Sequence, residues 1–358
     1  MVKAEDILAD ILAGKQVKYY NETIEGELDL SKLKSLMDGE GRVRIPVSIE
    51  IKNSEVLGKA KFRNVVFEEQ VIFKDTNFSG YARFNGANFI GDANFSDAVF
   101  SSRANFTNAQ FGGSADFSKV EFGCDAYFGE ARFIGDADFH RAQFGGNAHF
   151  GEAQFCGNAL FSWAKFSGDA HFPKAQFHKT LDLNKSKFNI LYITWNLIKD
   201  KVHYYSNSCK DVHDNGRIDG PTYLALIKNF KIIEQFSDAD EGYYQYRKES
   251  QDCKRLYGNW DWSKLADIVS WISCGYGVRP IHTFICMFCI VVIGGFLFLG
   301  SSESLFESFY FSVMMFTGGD PDNLTLGRWM RTIAMIEAIL GYLFMALFVV
   351  VLGRKFIR

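Results

Sequence analysis

Residues 93–119 read ANFSDAVFSSRANFTNAQFGGSADFSK, and this stretch decides the fold. Phe stands at Phe95, Phe100, Phe106, Phe111 and Phe117, so the step alternates between five and six residues. The ladder runs outward both ways, from Phe62 and Phe67 to Phe172 and Phe177, with Leu183 and Phe188 continuing it. Two residues before nearly every Phe stands a small or β-branched residue, most often Ala, as at Ala82, Ala93, Ala104 and Ala175. In many six-residue steps the extra residue falls beside a glycine, as at Gly80, Gly91, Gly113, Gly135, Gly146, Gly157 and Gly168. The ladder explains a composition of Phe 36, Gly 32 and Pro 5 in 358 residues, since such a bias marks a repeat that uses Phe at a fixed place.

This period is that of a β-solenoid. Each short unit buries one large and one small side chain and then turns a corner. Coils stacked about 4.8 Å apart put Phe on Phe and Ala on Ala. One unit cannot bury its face alone, so many must stack. Glycine is expected to relax the corner that holds a sixth residue.

The units read A-(N/D)-F-x-x, as in residues 93–97 (ANFSD) and 115–119 (ADFSK). They resemble the pentapeptide repeat family over residues 60–188. The resemblance implies a right-handed quadrilateral β-helix, with Phe and the small residue before it pointing inward. Here every second unit carries a sixth residue, so four units take 22 residues per coil. Nearly six coils and a rod of roughly 25–30 Å are then expected.

Charge limits what the rod can do. Glu68, Glu69, Asp92, Asp116, Asp136 and Asp138 are offset by Lys61, Arg83, Arg103, Lys119, Arg132, Arg141 and Lys165, and the whole chain is only −3. A DNA-mimicking inhibitor, a role known in the repeat family, needs a net acidic face, and no nucleic-acid partner is expected. His140, His149, His171 and His178 occupy outward positions, where solvated surface histidines are commoner than metal ligands. The Asn-Phe-Ser/Thr matches at Asn77, Asn94 and Asn105 are by-products of the repeat. Seven Cys at irregular spacing, with no signal peptide at the N-terminus, read as reduced thiols.

Residues 1–58 read as a lead-in and cap. Ile7, Leu8, Ile11 and Leu12 predict a short amphipathic helix over 4–14, and 24–33 alternates like a strand. After the ladder (59–190) comes a linker over 191–258. DNGRIDGP (214–221) is a turn and helix-start signal. Tyr223, Leu224, Ile227, Phe230, Ile233 and Phe236 predict one helix. A second follows, capped by Ser237 or Asp238, and the two read as a helical hairpin. Residues 238–248 (DADEGYYQYRK) resemble the connector of pentapeptide-repeat channel-like proteins. Arg247, Lys248, Lys254 and Arg255 suit an anionic membrane surface or a solvated face. Trp260, Trp262, Trp271 and Tyr276, among Leu265, Ile268, Val269 and Ile272, predict an interfacial amphipathic helix over 259–280 that anchors or couples.

Two apolar runs close the chain, 281–300 and 329–352, each long enough to span a bilayer. Lys264 and Arg279 before the first, with Arg354, Lys355 and Arg358 after the second, place both termini in the cytosol of a two-span, multi-pass cell-membrane protein. Cys286-x-x-Cys289 in the first span looks like a metal motif on paper, but two Cys in a lipid-facing helix are more often packing residues and read so here. Between the spans lies 305–323 (LFESFYFSVMMFTGGDPDN): an apolar helix broken by paired glycines and a proline. Irregular backbone at membrane depth survives only when buried in protein or lining water.

Span, short helix, Gly-rich loop and span resemble the two-transmembrane potassium-channel-like pore module over 281–358. Phe311, Ser312, Gly319-Asp320, 324–328 (LTLGR) and Glu337-Ala338-x-x-Gly341 carry the match. The resemblance implies a homotetramer with a pore helix and filter over 303–322. The filter is Met315, Phe316, Thr317, Gly318, Gly319 and Asp320, where the family has Thr-Val-Gly-Tyr-Gly-Asp. Glu303, Glu307 and Asp322 would join Asp320 in an acidic outer mouth for monovalent cations, K⁺ or Na⁺. Asp320 can also brace the filter. Glu337 can line the cavity or brace the pore helix, and Gly341, Phe344 and Phe348 continue its face as a gate or as packing.

The fold class expected is a multi-domain β + α membrane protein: β-helix, helical linker and pore-loop channel domain. The function expected is a tetrameric cation-conducting channel with a cytosolic repeat domain. The alternative is a non-conducting, membrane-anchored repeat scaffold. No nucleophile–base constellation, metal cluster or phosphate loop is apparent, so neither an enzyme nor a cofactor is expected.

Overall fold

The computed structural model describes residues 1–205, 217–252, 262–300, 304–319 and 327–356. The chain divides into two units, Met1–Gly242 and Tyr243–Arg358.

The first unit is a four-sided parallel β-solenoid. Its faces are sheets of nine, eight, eight and seven strands. Register steps by 22 residues: Ala93 pairs with Ala115, Ala115 with Ala137, and Phe89 with Phe111. Coil-on-coil pairing begins at Val2–Lys3, not at the first ladder Phe, because the lead-in supplies the first strands of all four sheets. The solenoid is therefore longer than the nearly six coils expected, with up to nine strands in a column. The predicted strand over 24–33 is two short strands on successive faces, Thr23–Glu25 and Leu28–Asp29, with Gly26 at φ +91° between them.

Phe fills the interior in vertical stacks. Phe106 and Phe128 lie 4.9 Å apart at 2°, and Phe111 and Phe133 lie 4.8 Å apart at 1°. Neighbouring columns meet edge to face, as Phe95 does with Phe106 at 5.5 Å and 83°. Both geometries suit the ring quadrupole. Each buried ring contributes about 1.5–3 kcal/mol. The Ala positions are equally buried.

Glycine serves a different purpose from the one expected. The left-handed residues sit in the five-residue corners, one every eleven positions, and they include Asn108, Glu130, Arg141, Trp163 and Lys185. The glycines of the six-residue corners have no positive φ. A Cβ on Gly80, Gly135 or Gly157 would instead run into the backbone of the glycine corner one coil below. They are glycine because two backbones touch there. The N/D of each repeat is explained by the other corner: Asn94 Oδ1 accepts from Ser96 N at 2.8 Å and Asp116 Oδ1 from Ser118 N at 2.9 Å, the Asx turn that such residues form.

Helices close both ends. At the N-terminus α1 (Ala4–Leu12) buries Ala4, Ile7, Leu8 and Ile11 and leaves Leu12 exposed. At the far end come α2 (Trp195–Ile198) and α3 (Gly220–Ile232), the latter with Pro221 in its first turn and Asp219 accepting from Thr222 N at 3.0 Å. Tyr223, Leu226, Ile227 and Phe230 form its buried face; Leu224, counted with that face from the sequence, is exposed. The Asn229 amide accepts from Leu191 N at 2.9 Å and donates to Leu191 O at 2.7 Å, standing in for the next strand. The following helix, α4 (Phe236–Asp252), begins before both expected caps. Asp238 accepts from Trp195 N at 2.7 Å, serving the start of α2.

The second unit contains α5 (Trp262–Cys274), α6 (Pro280–Leu297), α7 (Leu305–Thr317) and α8 (Arg328–Phe356). Pro280–Gly300 and Arg328–Phe356 are long and apolar enough to cross a membrane. Only 22% and 17% of their apolar windows are buried, unlike the core helices of a globular domain.

Candidate functional site

The candidate site lies where α6, α7 and α8 meet. Ser304 starts α7 by accepting from Glu307 N at 3.2 Å, and Gly318 ends it at φ +80°, a conformation that costs glycine nothing. Thirteen residues give about 20 Å, short of the ~30 Å hydrocarbon thickness. The helix packs on both long neighbours. Phe311 meets Phe298 edge to face at 4.7 Å, and Phe309 meets Phe296 at 5.4 Å.

Three glycines set how closely it packs. A Cβ on Gly294 would overlap Glu337 Oε1 and lie 2.6 Å from Ser312 Oγ. One on Gly295 would press into the Phe309 ring at 2.6 Å. One on Gly341 would overlap the carbonyl oxygen of Phe316. Close backbone approach through small residues is how helices associate without a hydrophobic drive from water.

The space at Gly294 holds a buried polar pair. Ser312 and Glu337, on α7 and α8, are hydrogen-bonded, and Ser312 Oγ also lies 2.9 Å from Val291 O of α6. Both side chains are buried. Glu337 thus contacts the short helix. Glu337 Oε2 and Thr283 Oγ1 are buried with no hydrogen-bond partner among the described residues. A groove of about 350 Å³ between α6 and α8 is lined by Ile290, Ile293, Gly294, Ile333, Glu337 and Leu340.

The filter candidates divide. Met315, Phe316 and Thr317 form the last turn of α7 and are helical. Phe316 is buried against α8, and the Thr317 hydroxyl donates back to Val313 O at 2.8 Å. Among the described filter candidates, Gly318 and Gly319 alone leave helical backbone, with Gly318 beside the Tyr342 hydroxyl. Glu307 is exposed, and Phe344 and Phe348 are half-buried on the face of Glu337 and Gly341. Asp320, Glu303 and Asp322 lie outside the described residues, as do Trp260, Lys254, Arg255 and residues 321–326.

The connector motif has a place that spacing alone did not reveal. Arg247 donates to Asp267 of α5 at 2.5 Å and to the Tyr243 hydroxyl at 3.0 Å. Asp267 is buried. Trp271 donates to Tyr244 at 2.9 Å, and Arg279 lies 3.7 Å from the Tyr244 ring centre. Arg354, at the end of α8, donates to Gly277 O at 3.4 Å. These contacts join the end of α4, α5, the start of α6 and the end of α8. Burial, reinforced by Asp267, pushes the Tyr276 phenol up to about 12, so it stays a donor to Gln251. On α5, Trp262, Val269 and Ile272 are exposed while Asp267 is buried, an inside-out pattern for a water-facing helix.

The predicted histidines do not converge. His140 shares a hydrogen bond with Ser162 at 2.9 Å. On a different face His149 and His171 stack at 5.1 Å within a column from Tyr127 to Tyr192. His178 sits beside Phe155 O at 3.3 Å. Cys286 Sγ donates to Ile272 O at 3.3 Å.

No curated protein and no solved structure matches the chain. One family model does, described as pentapeptide repeats (9 copies), over residues 51–99, 95–143 and 139–187. The chain thus carries a pentapeptide-repeat β-solenoid, followed by a helical region with two helices long and apolar enough to cross a membrane.

Proposed function

We propose that the protein is a homotetrameric cation channel of the cell membrane, in which α6 and α8 span the bilayer, α7 is the pore helix and the solenoid lies in the cytosol. One observation carries this reading: an apolar helix too short to cross is seated between two that are long enough, and it ends in left-handed Gly318. A polar pair braces it from below, and small residues set its depth. The exposed apolar surface of α6 and α8 suits lipid and neighbouring copies. One re-entrant segment cannot enclose an ion, so copies must share an axis. The Arg247–Asp267 contact offers a mechanical link from α4 to α5.

A second reading is a membrane-anchored scaffold that does not conduct. It is favoured by the helical state of Met315–Thr317 and by the internal bonding of Thr317. Purified protein in planar bilayers separates the two. The channel gives single-channel currents whose reversal potential follows the K⁺ or Na⁺ gradient, and Asp320→Asn lowers cation conductance. No current under varied voltage, calcium, pH and tension leaves the scaffold.

A further inference from the structure

We propose that the cleft where the last solenoid coils meet α3 is a binding site for a compact polyphosphate anion. The cleft has a volume of about 610 Å³, within the ~300–1,000 Å³ range of ligand sites. It is lined by Arg141, Trp163, Lys165, Lys185 and Lys187 on one side and by the first turn of α3 on the other. The fold sets these residues in two columns, each rising one coil per step. Arg141, Trp163 and Lys185 occupy the left-handed corner positions. Lys165 and Lys187 are direct register partners on the adjacent face, following Gln143.

Like charges paired directly across strands oppose folding. None of the four cations has a carboxylate within 4.0 Å among the described residues. Asp219 lines the cleft too, but its carboxylate already caps α3 at Thr222 N. Trp163 holds the charges in place: the Lys185 ammonium lies 4.5 Å from its ring centre and the Arg141 guanidinium 5.9 Å. Cations thus approach the indole that a stacking base would need, so the cleft reads charge and not a nucleobase. The positive end of α3 adds to the same field. Lys165 and Lys187, one coil or about 4.8 Å apart, and Arg141 and Lys185, two coils apart, can each meet a separate phosphate of one small ligand. The inference concerns the solenoid unit and does not depend on conduction.

The test uses the full chain in phosphatidylcholine nanodiscs, titrated with sodium tripolyphosphate by calorimetry at ~0.15 M salt, where the Debye length is ~8 Å. One site per chain is expected, with affinity falling as salt rises. Lys165→Gln and Lys187→Gln each weaken it by about tenfold, and the double variant by about a hundredfold. Lys174→Gln, whose ammonium pairs with Glu152 in the corner column half a coil away, leaves it unchanged. Circular dichroism verifies that every variant keeps the solenoid. In a second arm the nanodiscs contain a bisphosphorylated inositol lipid. Binding there alone, lost in the same double variant, assigns the phosphates to a lipid headgroup. Absence of binding in both arms, or equal binding by folded Lys165→Gln/Lys187→Gln protein, overturns the site.

Discussion

At the scale of single residues, the decisive positions are those where one atom too many has nowhere to go. Gly341 faces the Phe316 carbonyl, which belongs to the backbone of a packed helix and cannot swing aside. Gly341→Ala is therefore expected to cost about 1–3 kcal/mol by overpacking. The helical unit should melt earlier in differential scanning fluorimetry. A variant that melts like the parent would sink the claim that this contact sets the depth of α7. His149 makes the corresponding point for charge. Burial, and then the neighbouring His171, hold its imidazole below the usual 6.5. The unfolded chain takes the proton first as pH falls through 6.5, so stability present above that value is lost progressively below it. The solenoid should melt earlier at pH 5.5 than at pH 7.5, measured by far-UV circular dichroism, and His149→Gln should shrink the difference. The half-buried carboxyls of Asp138 and Asp182 are pushed up by desolvation and act in the opposite direction, which is why the variant comparison is needed.

At the scale of elements, the solenoid is stabilised by repetition along its length and exposed to attack only at its ends. A parallel stack ends in unpaired amides and carbonyls that invite another chain. The Asn229 side chain answers both groups of Leu191 from a helix. Asn229→Ala would leave that donor and acceptor buried without partners, costing about 2–4 kcal/mol. The expected signs are a lower melting point and concentration-dependent self-association in light scattering. If Asn229→Ala stays monodisperse and equally stable, α3 is not an end cap. Asn229 was not evident from the ladder, because what it satisfies is created only where the ladder stops. The helices of the second unit show the same division. Their lengths and polarity were plain in the sequence, whereas the pairing of Arg247 with Asp267 joins residues 20 apart on different helices.

At the scale of the whole molecule, the repeat region and the two apolar helices pose different tests. Native mass spectrometry from nanodiscs is expected to count four chains. A monomer or dimer would remove the shared axis that the pore reading requires. The solenoid should keep its β signature in any such state, since its 22-residue register is internal to one chain.

What the sequence determined by itself is the Phe ladder, the inward Ala, the stacked coil and the two long apolar helices; the coil's four faces entered only as what the family resemblance implies. Period is local information, because each unit repeats the environment of the last. Only the tertiary structure decided what depends on contact. The corner glycines are there for the coil beneath them. Glu337 braces Ser312 in the space left by Gly294, and Met315 to Thr317 belong to the helix they end. The basic columns at Arg141–Lys185 and Lys165–Lys187 appear in the sequence only as scattered charges 22 or 44 residues apart. Stacking brings them within one cleft, and that proximity is created by the fold.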